Sequence, residues 1–296
     1  MQKFIINERF DDKKIIQVIT AAYPDVPLGA VYKALRQKDI KINGIRIKED
    51  VKVHTGDLAE IYIDDGVLIN EKSITVVYED ENIVIVNKPQ GLKVHPDKEE
   101  NSRSLIEILR ERYGPDISLC HRLDRNTGGL LISGKNRESV DIIQNKIKNN
   151  EIIKIYRCRV HGKLPQKHAE LNAYHNKIAK DGLVFISDEK VPGASGITTV
   201  YDLISYDGKT DTSIADITLI TGKTHQIRAH MAHIGHPVVG DGKYGSTELD
   251  KQLHLRTGEK QKYQCLYAYK LIFKFSKTAG RLDYLKNELI EIEPDF

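Results

Sequence analysis

Short β-branched runs separated by stretches of helical periodicity limit what this chain can become. Ile74-Thr75-Val76-Val77-Tyr78 and Ile83-Val84-Ile85-Val86 flank the turn-forming Glu79-Asp80-Glu81-Asn82, which predicts a hairpin. Ile214 to Ile220 is a further strand. Ile153 to Val160 alternates apolar with polar or basic positions, as a strand with one face in a groove does. Ser104 to Tyr113 sets Leu105, Ile106 and Leu109 on one helical side with Ser104 as a start signal, and Arg137 to Asn149 repeats apolar residues at Val140, Ile143 and Ile147. No apolar run approaches the ~18 residues of a membrane span. Strands and helices of these lengths must bury one another around a core.

A length of 296 residues allows two domains, and the turn-rich residues from Asp64-Asp65-Gly66 to Glu71-Lys72-Ser73 mark the expected boundary, giving 1–64 and 65–296. In the first, apolar residues at Ile15, Ile16, Val18, Ile19 and Ala22 predict an amphipathic helix over Lys13 to Ala22, and Val31 to Gln37 a second. Residues 39–47 then alternate around Asn43-Gly44, a strong hairpin signal. Lys33, Arg36, Lys38, Lys41, Arg46 and Lys48 crowd this segment against the single Asp39, although 45 basic and 42 acidic residues leave the whole chain at only +3. Such a run is either a solvated face or a contact surface for a polyanion.

Cys120, Cys158 and Cys265 form no Cys-x-x-Cys pair, so neither a zinc cluster nor a disulfide framework is indicated, and a reducing cytoplasm fits best. The first nine residues lack the apolar core of a signal peptide. The protein is expected to be soluble and cytoplasmic.

Residues 221–235 predict a helix with Thr224 as N-cap, Ile227, Met231 and Ile234 as the buried stripe, and Gly235 as its end. Gly222-Lys223-Thr224 is not a phosphate-binding loop, because Ile217 stands where that motif needs glycine. His225, His230, His233 and His236 match no common zinc spacing, so no metal is expected; solvated or capping roles suit them better. Val239 to Gln264, rich in Gly, Lys, Glu and Gln, reads as a surface excursion, and Asn87-Lys88-Pro89-Gln90-Gly91-Leu92 as a loop set by Pro and Gly.

The chemistry concentrates at His121-Arg122-Leu123-Asp124-Arg125-Asn126-Thr127-Gly128-Gly129-Leu130. Asp124 sits between two arginines at the head of a polar turn that runs into an apolar strand. By composition alone it is a turn former or a functional carboxylate.

That run, with Lys154-x-Tyr156, residues 221–230, Pro237-x-x-Gly240-Asp241-x-x-Tyr244-Gly245 and Asn87-Lys88-Pro89-x-Gly91-Leu92, resembles the RluA-type family of RNA pseudouridine synthases over about residues 74 to 275. Thr127-Gly128-Gly129 departs from the Thr-Ser-Gly of many members and adds backbone freedom. Residues 13 to 64 resemble the small RNA-binding module first seen in a small-subunit ribosomal protein.

The resemblance implies an α+β fold: a mixed, largely antiparallel sheet with flanking helices and a basic central cleft, plus a small N-terminal module in which Lys33, Arg36, Lys38, Lys41 and Arg46 meet RNA phosphates. It implies an isomerase that cuts a uridine's glycosidic bond, turns the uracil and rejoins it through carbon five, without metal or cofactor. Asp124 is then the essential carboxylate, a role chemically akin to the nucleophile of retaining glycosidases. Arg228 is expected to face it and favour its ionised form, Tyr156 to pack beside the base with a role in proton transfer, Ile220 to support the base, and Arg122 to fill the gap left by an unstacked uridine.

Lys154 and Arg157 are equally well explained as solvated residues on a strand. The expected partner is RNA, ribosomal RNA of the large subunit in particular, and the expected state a monomer. Two other readings stand beside it: a nucleoside or glycoside hydrolase, which needs a second carboxylate in the cleft where the motifs offer none, and a non-catalytic RNA-binding or ribosome-assembly factor.

Overall fold

The computed structural model describes residues 2–23, 26, 28–62, 74–96, 103–177, 182–294 and 296. They form two compact units, Met1–Ile74 with Gly91–Arg112, and Thr75–Gln90 with Tyr113–Phe296. The boundary expected at 64/65, with its flanking turn residues, lies outside the described residues.

In the first unit, β1 (Gln2–Ile5), β3 (Ile40–Ile42), β4 (Ile45–Ile47) and β6 (Leu58–Ile61) make a sheet in the order β1-β6-β3-β4, and β2 (Lys13–Lys14) pairs with β5 (Lys52–Val53). Two helices supply apolar faces. α1 (Ile15–Ala22) buries Ile15, Ile16, Val18 and Ile19, and α2 (Leu28–Arg36) buries Val31, Ala34 and Leu35 at i, i+3 and i+4. The latter starts three residues before the expected Val31. The hairpin forms at Asn43-Gly44, both with positive φ (50° and 80°), the backbone that a two-residue turn of matching twist demands. Asn43 is further tied by its side chain, which donates to Asp57 (2.8 Å) and accepts from the Leu58 N–H (2.8 Å). Further along in this unit, Ser104 precedes α3 (Leu105–Tyr113) and bonds Glu107 through both its N–H (2.8 Å) and its hydroxyl (2.6 Å), as the start signal suggested.

The second unit is built on one sheet of eleven strands. Its elements in chain order are β7 (Thr75–Glu79), β8 (Ile83–Lys88), β9 (Ser118–Leu119), β10 (Gly128–Gly134), α4 (Arg137–Lys148), β11 (Ile152–His161), β12 (His168–Lys177), β13 (Val184–Ser187), β14 (Ser195–Asp207), β15 (Thr212–Leu219), α5 (Gln226–His233), α6 (Thr247–Thr257), β16 (Leu266–Phe273) and β17 (Leu289–Glu291). The strand order is β13-β12-β14-β15-β11-β16-β10-β8-β7, with β17 beside β16 and β9 beside β10. All these pairings are antiparallel except β10 with β16, so the fold is α+β with a mixed, largely antiparallel sheet. α4 packs Val140 and Ile143 on Ile83, Ile85, Leu130 and Ile132, which anchors β10 rigidly behind the Asp124 loop.

A Cβ at Gly128 would stand 2.1 Å from the Tyr267 ring on β16, so only glycine fits where the two strands close up.

One expectation is refined here and another fails. Val239 to Gln264 lies largely at the surface, as expected, but it contains α6, capped by Ser246, and is anchored by the buried Val239, Asp241, Leu253 and Gln264. Polar composition concealed these few anchors. Thr224 is not the cap of α5. His225 takes that position in the left-handed region (φ 53°), and the Gln226 side chain fixes the turn by accepting from the Lys223 N–H (3.0 Å) and donating to Thr198 O (3.1 Å). Residues 226–231 of this helix are all buried while Ile234 is only half-buried, because the helix is enclosed at its start rather than along one stripe.

Candidate active site

Asp124, Arg122, Tyr156, Ile220 and Arg228 line one pocket of about 680 Å³ within the second unit, a volume suited to a nucleotide-sized ligand. The loop that carries Asp124 is clamped from below. Lys88, fully buried at the end of β8, donates to Pro89 O (2.9 Å) and Arg125 O (3.0 Å), and burial pushes its pKa down to about 7 against the attraction of Asp124. Gln90 donates to Asn126 O (3.0 Å) and Gln264 O (2.7 Å), while the Gln264 amide donates to Thr127 (2.7 Å). Residues 87–90 of the expected loop are thus the support of the Asp124 loop and more than a turn. Lys88 was missed because a lysine that bonds carbonyls leaves no periodic signal.

The Asp124 side chain is 23% exposed and accepts a hydrogen bond from Arg228 Nη1 at its Oδ2 (2.9 Å). Arg228 is itself buried and held by Asp241, through Nε to Oδ2 (2.6 Å) and Nη2 to Oδ1 (2.8 Å), a two-point pairing that fixes the guanidinium plane. Asp241 also accepts from the N–H groups of Lys243 (2.8 Å) and Tyr244 (3.1 Å). Burial, the largest influence on Asp241, raises its pKa, but Arg228 and those two N–H groups outweigh it and the carboxyl lies below its ordinary value. Among the described residues no donor reaches Asp124 Oδ1, so that oxygen stays open to a substrate.

His225, which the sequence reading gave only a capping or solvated role, sits with Nε2 3.8 Å from Asp124 Oδ2. The Tyr244 hydroxyl accepts from the Val184 N–H (3.0 Å) and also hydrogen-bonds His225 Nδ1 (2.8 Å), which leaves Nε2 as the ring nitrogen facing Asp124. Burial, the largest influence, lowers the pKa of the ring; Asp124 opposes it, and Arg228 and Lys243 add to it. Tyr244→Phe keeps the ring beside Arg228 (5.2 Å) but strands both partners of the hydroxyl. It should lower stability by about 1–2 kcal/mol, read from the urea midpoint at unchanged m.

The remaining histidines have structural partners: His230 is buried against Thr199 (3.0 Å), His233 meets Asp188 (2.9 Å) and His236 meets His161 O (3.0 Å). The solvated reading therefore fails for His230, which is 1% exposed.

Tyr156 lies on β11 where the pairing with β16 skips Tyr269, so the bulge belongs to β16 while β11 keeps an unbroken register with β15. It is 6% exposed, and burial followed by the charge of Asp124 raises its phenol far above the ordinary range. A phenol so shifted stays protonated, which disfavours it as a base. Ile220 is 46% exposed at the pocket wall, and Arg122 is exposed at its edge. Arg157 is not simply solvated but pairs with Asp216 (2.7 and 3.2 Å).

One open carboxylate held by a buried arginine thus stands in a basic pocket on a mixed sheet, and sequence comparison places that frame in a family. Residues 82–233 match the family described as RNA pseudouridylate synthase. The ribosomal large subunit pseudouridine synthase C of Buchnera aphidicola is 30% identical over 272 residues, which cover 85% of this chain and 83% of that protein. The mitochondrial tRNA pseudouridine(32) synthase of Saccharomyces cerevisiae is 31% identical over 247 residues, 82% of this chain and 52% of the yeast protein, so the chain spans about half that relative's length. In fold, the human RNA pseudouridylate synthase domain containing 1 superposes with a TM-score of 0.60 at 21% identity, covering 77% of this chain and 85% of that one. The chain belongs to the RNA pseudouridylate synthase family and is an isomerase of that class.

Proposed function

We propose that this chain converts uridines of large-subunit ribosomal RNA to pseudouridine with Asp124 as the essential carboxylate. The observation that carries this reading is the Asp241–Arg228–Asp124 chain, which holds one carboxylate oxygen and leaves the other open. Asp124 acts on the nucleotide so that the bond from N1 to C1′ breaks, the uracil turns, and a bond from C5 to C1′ forms. The proton on C5 leaves and N1 gains one, so the atoms balance without an added reagent. Tyr156 packs against the base, Ile220 supports it from the wall, and Arg122 occupies the space that the flipped base leaves in the RNA.

The ribosomal assignment rests on the Buchnera relative, which is matched along most of its length, whereas the yeast transfer-RNA enzyme is matched over half. No helix among the described residues is long and apolar enough to cross a membrane. The enzyme is taken to work on RNA in the cytoplasm, as a monomer. The hydrolase alternative fails on Asp241. A second carboxylate does stand near Asp124, but its side chain is fully buried and committed to Arg228 and two N–H groups. The assembly-factor alternative leaves the convergence of Asp124, Tyr156 and Arg228 without a purpose.

Mapping pseudouridines in RNA from cells lacking the protein, with and without the wild-type gene restored, tests the reading. It predicts loss at one or a few large-subunit positions; an unchanged map would refute it.

The N-terminal unit supplies affinity through α2 and the hairpin. Lys33, Arg36 and Lys38 are exposed, and Lys41 is half-buried with its ammonium over the Tyr62 ring (5.1 Å). Arg46 is exposed but donates to Lys38 O (2.6 Å). Lys33 and Arg36 are the cleaner probes, since among the described residues neither is paired. The double substitution Lys33→Gln/Arg36→Gln should weaken RNA binding for all sequences alike and reduce the slope of log K against log salt by about 1.4. An unchanged slope in filter binding would remove these residues from the RNA contact.

A further inference from the structure

β11 alternates its side chains, so Lys154 and Tyr156 share a face about 6.5 Å apart along the strand, and both line the pocket. Tyr156 is buried at that wall, whereas Lys154 is partly exposed, nearer the opening. Burial alone lowers the pKa of Lys154. Among the described residues no carboxylate supports its charge, and no side chain or carbonyl accepts a hydrogen bond from it.

The arginines of this strand, and Arg228 in the pocket, are neutralised. Arg157 pairs with Asp216 and lies over the Tyr269 ring (4.3 Å), Arg159 meets Glu259 (2.8 Å), and Arg228 takes both Asp241 and Asp124. Asp124, the one acidic residue among the described residues that line the pocket, is therefore already engaged, and Lys154 cannot share it. A partly desolvated ammonium without a counter-charge destabilises the free protein, so its place is explained when a ligand brings the charge.

We propose that Lys154 is a phosphate subsite, binding a backbone phosphodiester of the RNA strand whose uridine enters the pocket beside Tyr156. The inference rests on the RNA pseudouridine synthase reading above. A lysine suits this task because it meets phosphate as a point charge from any direction, without demanding the planar fit of a guanidinium. Its neighbourhood adds to the attraction: Arg122, Lys148 and Lys223 are exposed around the same pocket.

The test uses the full chain and total RNA from a strain lacking the gene, following pseudouridine formation across a salt series. Lys154→Met should lower kcat/KM on the order of tenfold at low salt and flatten the slope of log kcat/KM against log salt by about 0.7. The kcat at saturating RNA should change little, because the contact is made equally in ground and transition states. Lys154→Arg should restore the slope, and the melting temperature of Lys154→Met should not fall, since the change removes an unpaired cation. An unchanged slope in Lys154→Met, or a loss confined to kcat, overturns the inference while a wild-type enzyme active on the same RNA upholds the functional reading. If the wild type forms no pseudouridine in that RNA, both fall together.

Discussion

Asp124→Asn should abolish pseudouridine formation, by roughly four orders of magnitude or more, while fold and RNA binding survive. The substitution preserves shape, and the oxygen of the new amide can still accept from Arg228, whose guanidinium remains paired to Asp241. Arg228 stays compensated by Asp241 and Asp124 is only partly buried, so loss of the charge should cost about 1 kcal/mol of stability. What disappears is the negative oxygen open to the substrate, since an amide neither attacks an electron-poor carbon nor stabilises a cationic sugar as a carboxylate does. RNA should bind the variant as tightly as the wild type or slightly more so, because one negative charge leaves a basic pocket. Thermal melting, filter binding and pseudouridine detection on the same preparation separate these outcomes. Activity within tenfold of the wild type would show that Asp124 is not the reacting group.

How much of this was readable from residues alone depends on the range over which each feature is encoded. The strands β7 and β8 stand out as β-branched runs around a turn, and β11, α1 and α4 through period, with α1 and α4 each burying one face in a core of its own unit. The Asn43-Gly44 turn is equally local. Asp124 and Arg228 stand out only through a recurring motif, since their meeting across 104 positions leaves no trace in composition.

Lys88 and Asp241 show where such reading ends. A lysine closing an apolar strand looks like a boundary, and only the fold reveals that it holds the Asp124 loop by carbonyl bonds. Asp241 lies among Gly240, Gly242 and Lys243, so its neighbours suggest a solvated loop while its own carboxylate is buried under Arg228. The cap of α5 was misplaced for a related reason: Thr224 has the better side chain for capping, but the pocket needs His225 in a left-handed turn beside Tyr244.

Asp241→Asn is the substitution expected to damage the fold most. Arg228 has a side chain only 7% exposed, and its charge is tolerated there because Asp241 meets it at two points. An amide in that place offers one accepting oxygen, and its NH2 group must face an N–H of the guanidinium. Without that charge the buried guanidinium keeps only its single bond to the partly exposed Asp124, and losing one partner of a buried pair costs about 3–5 kcal/mol, or about 10 °C in melting temperature for a unit of this size.

The pH dependence distinguishes this cause from a simple packing defect. Because the pKa of Asp241 is lowered in the folded state, its contribution to stability is fully present above its unfolded value of about 4 and is lost as pH falls through the folded value. The gap between wild type and Asp241→Asn should therefore be constant from neutral pH down to about 5 and narrow below about 4, where the protonated carboxyl is as neutral as the amide. Urea unfolding across that range checks it, and a gap independent of pH would mean that shape rather than charge is at stake. Activity should fall as well, on the order of a hundredfold, since an arginine released from Asp241 no longer holds Asp124 Oδ2 in place and the open oxygen loses its bearing on the substrate.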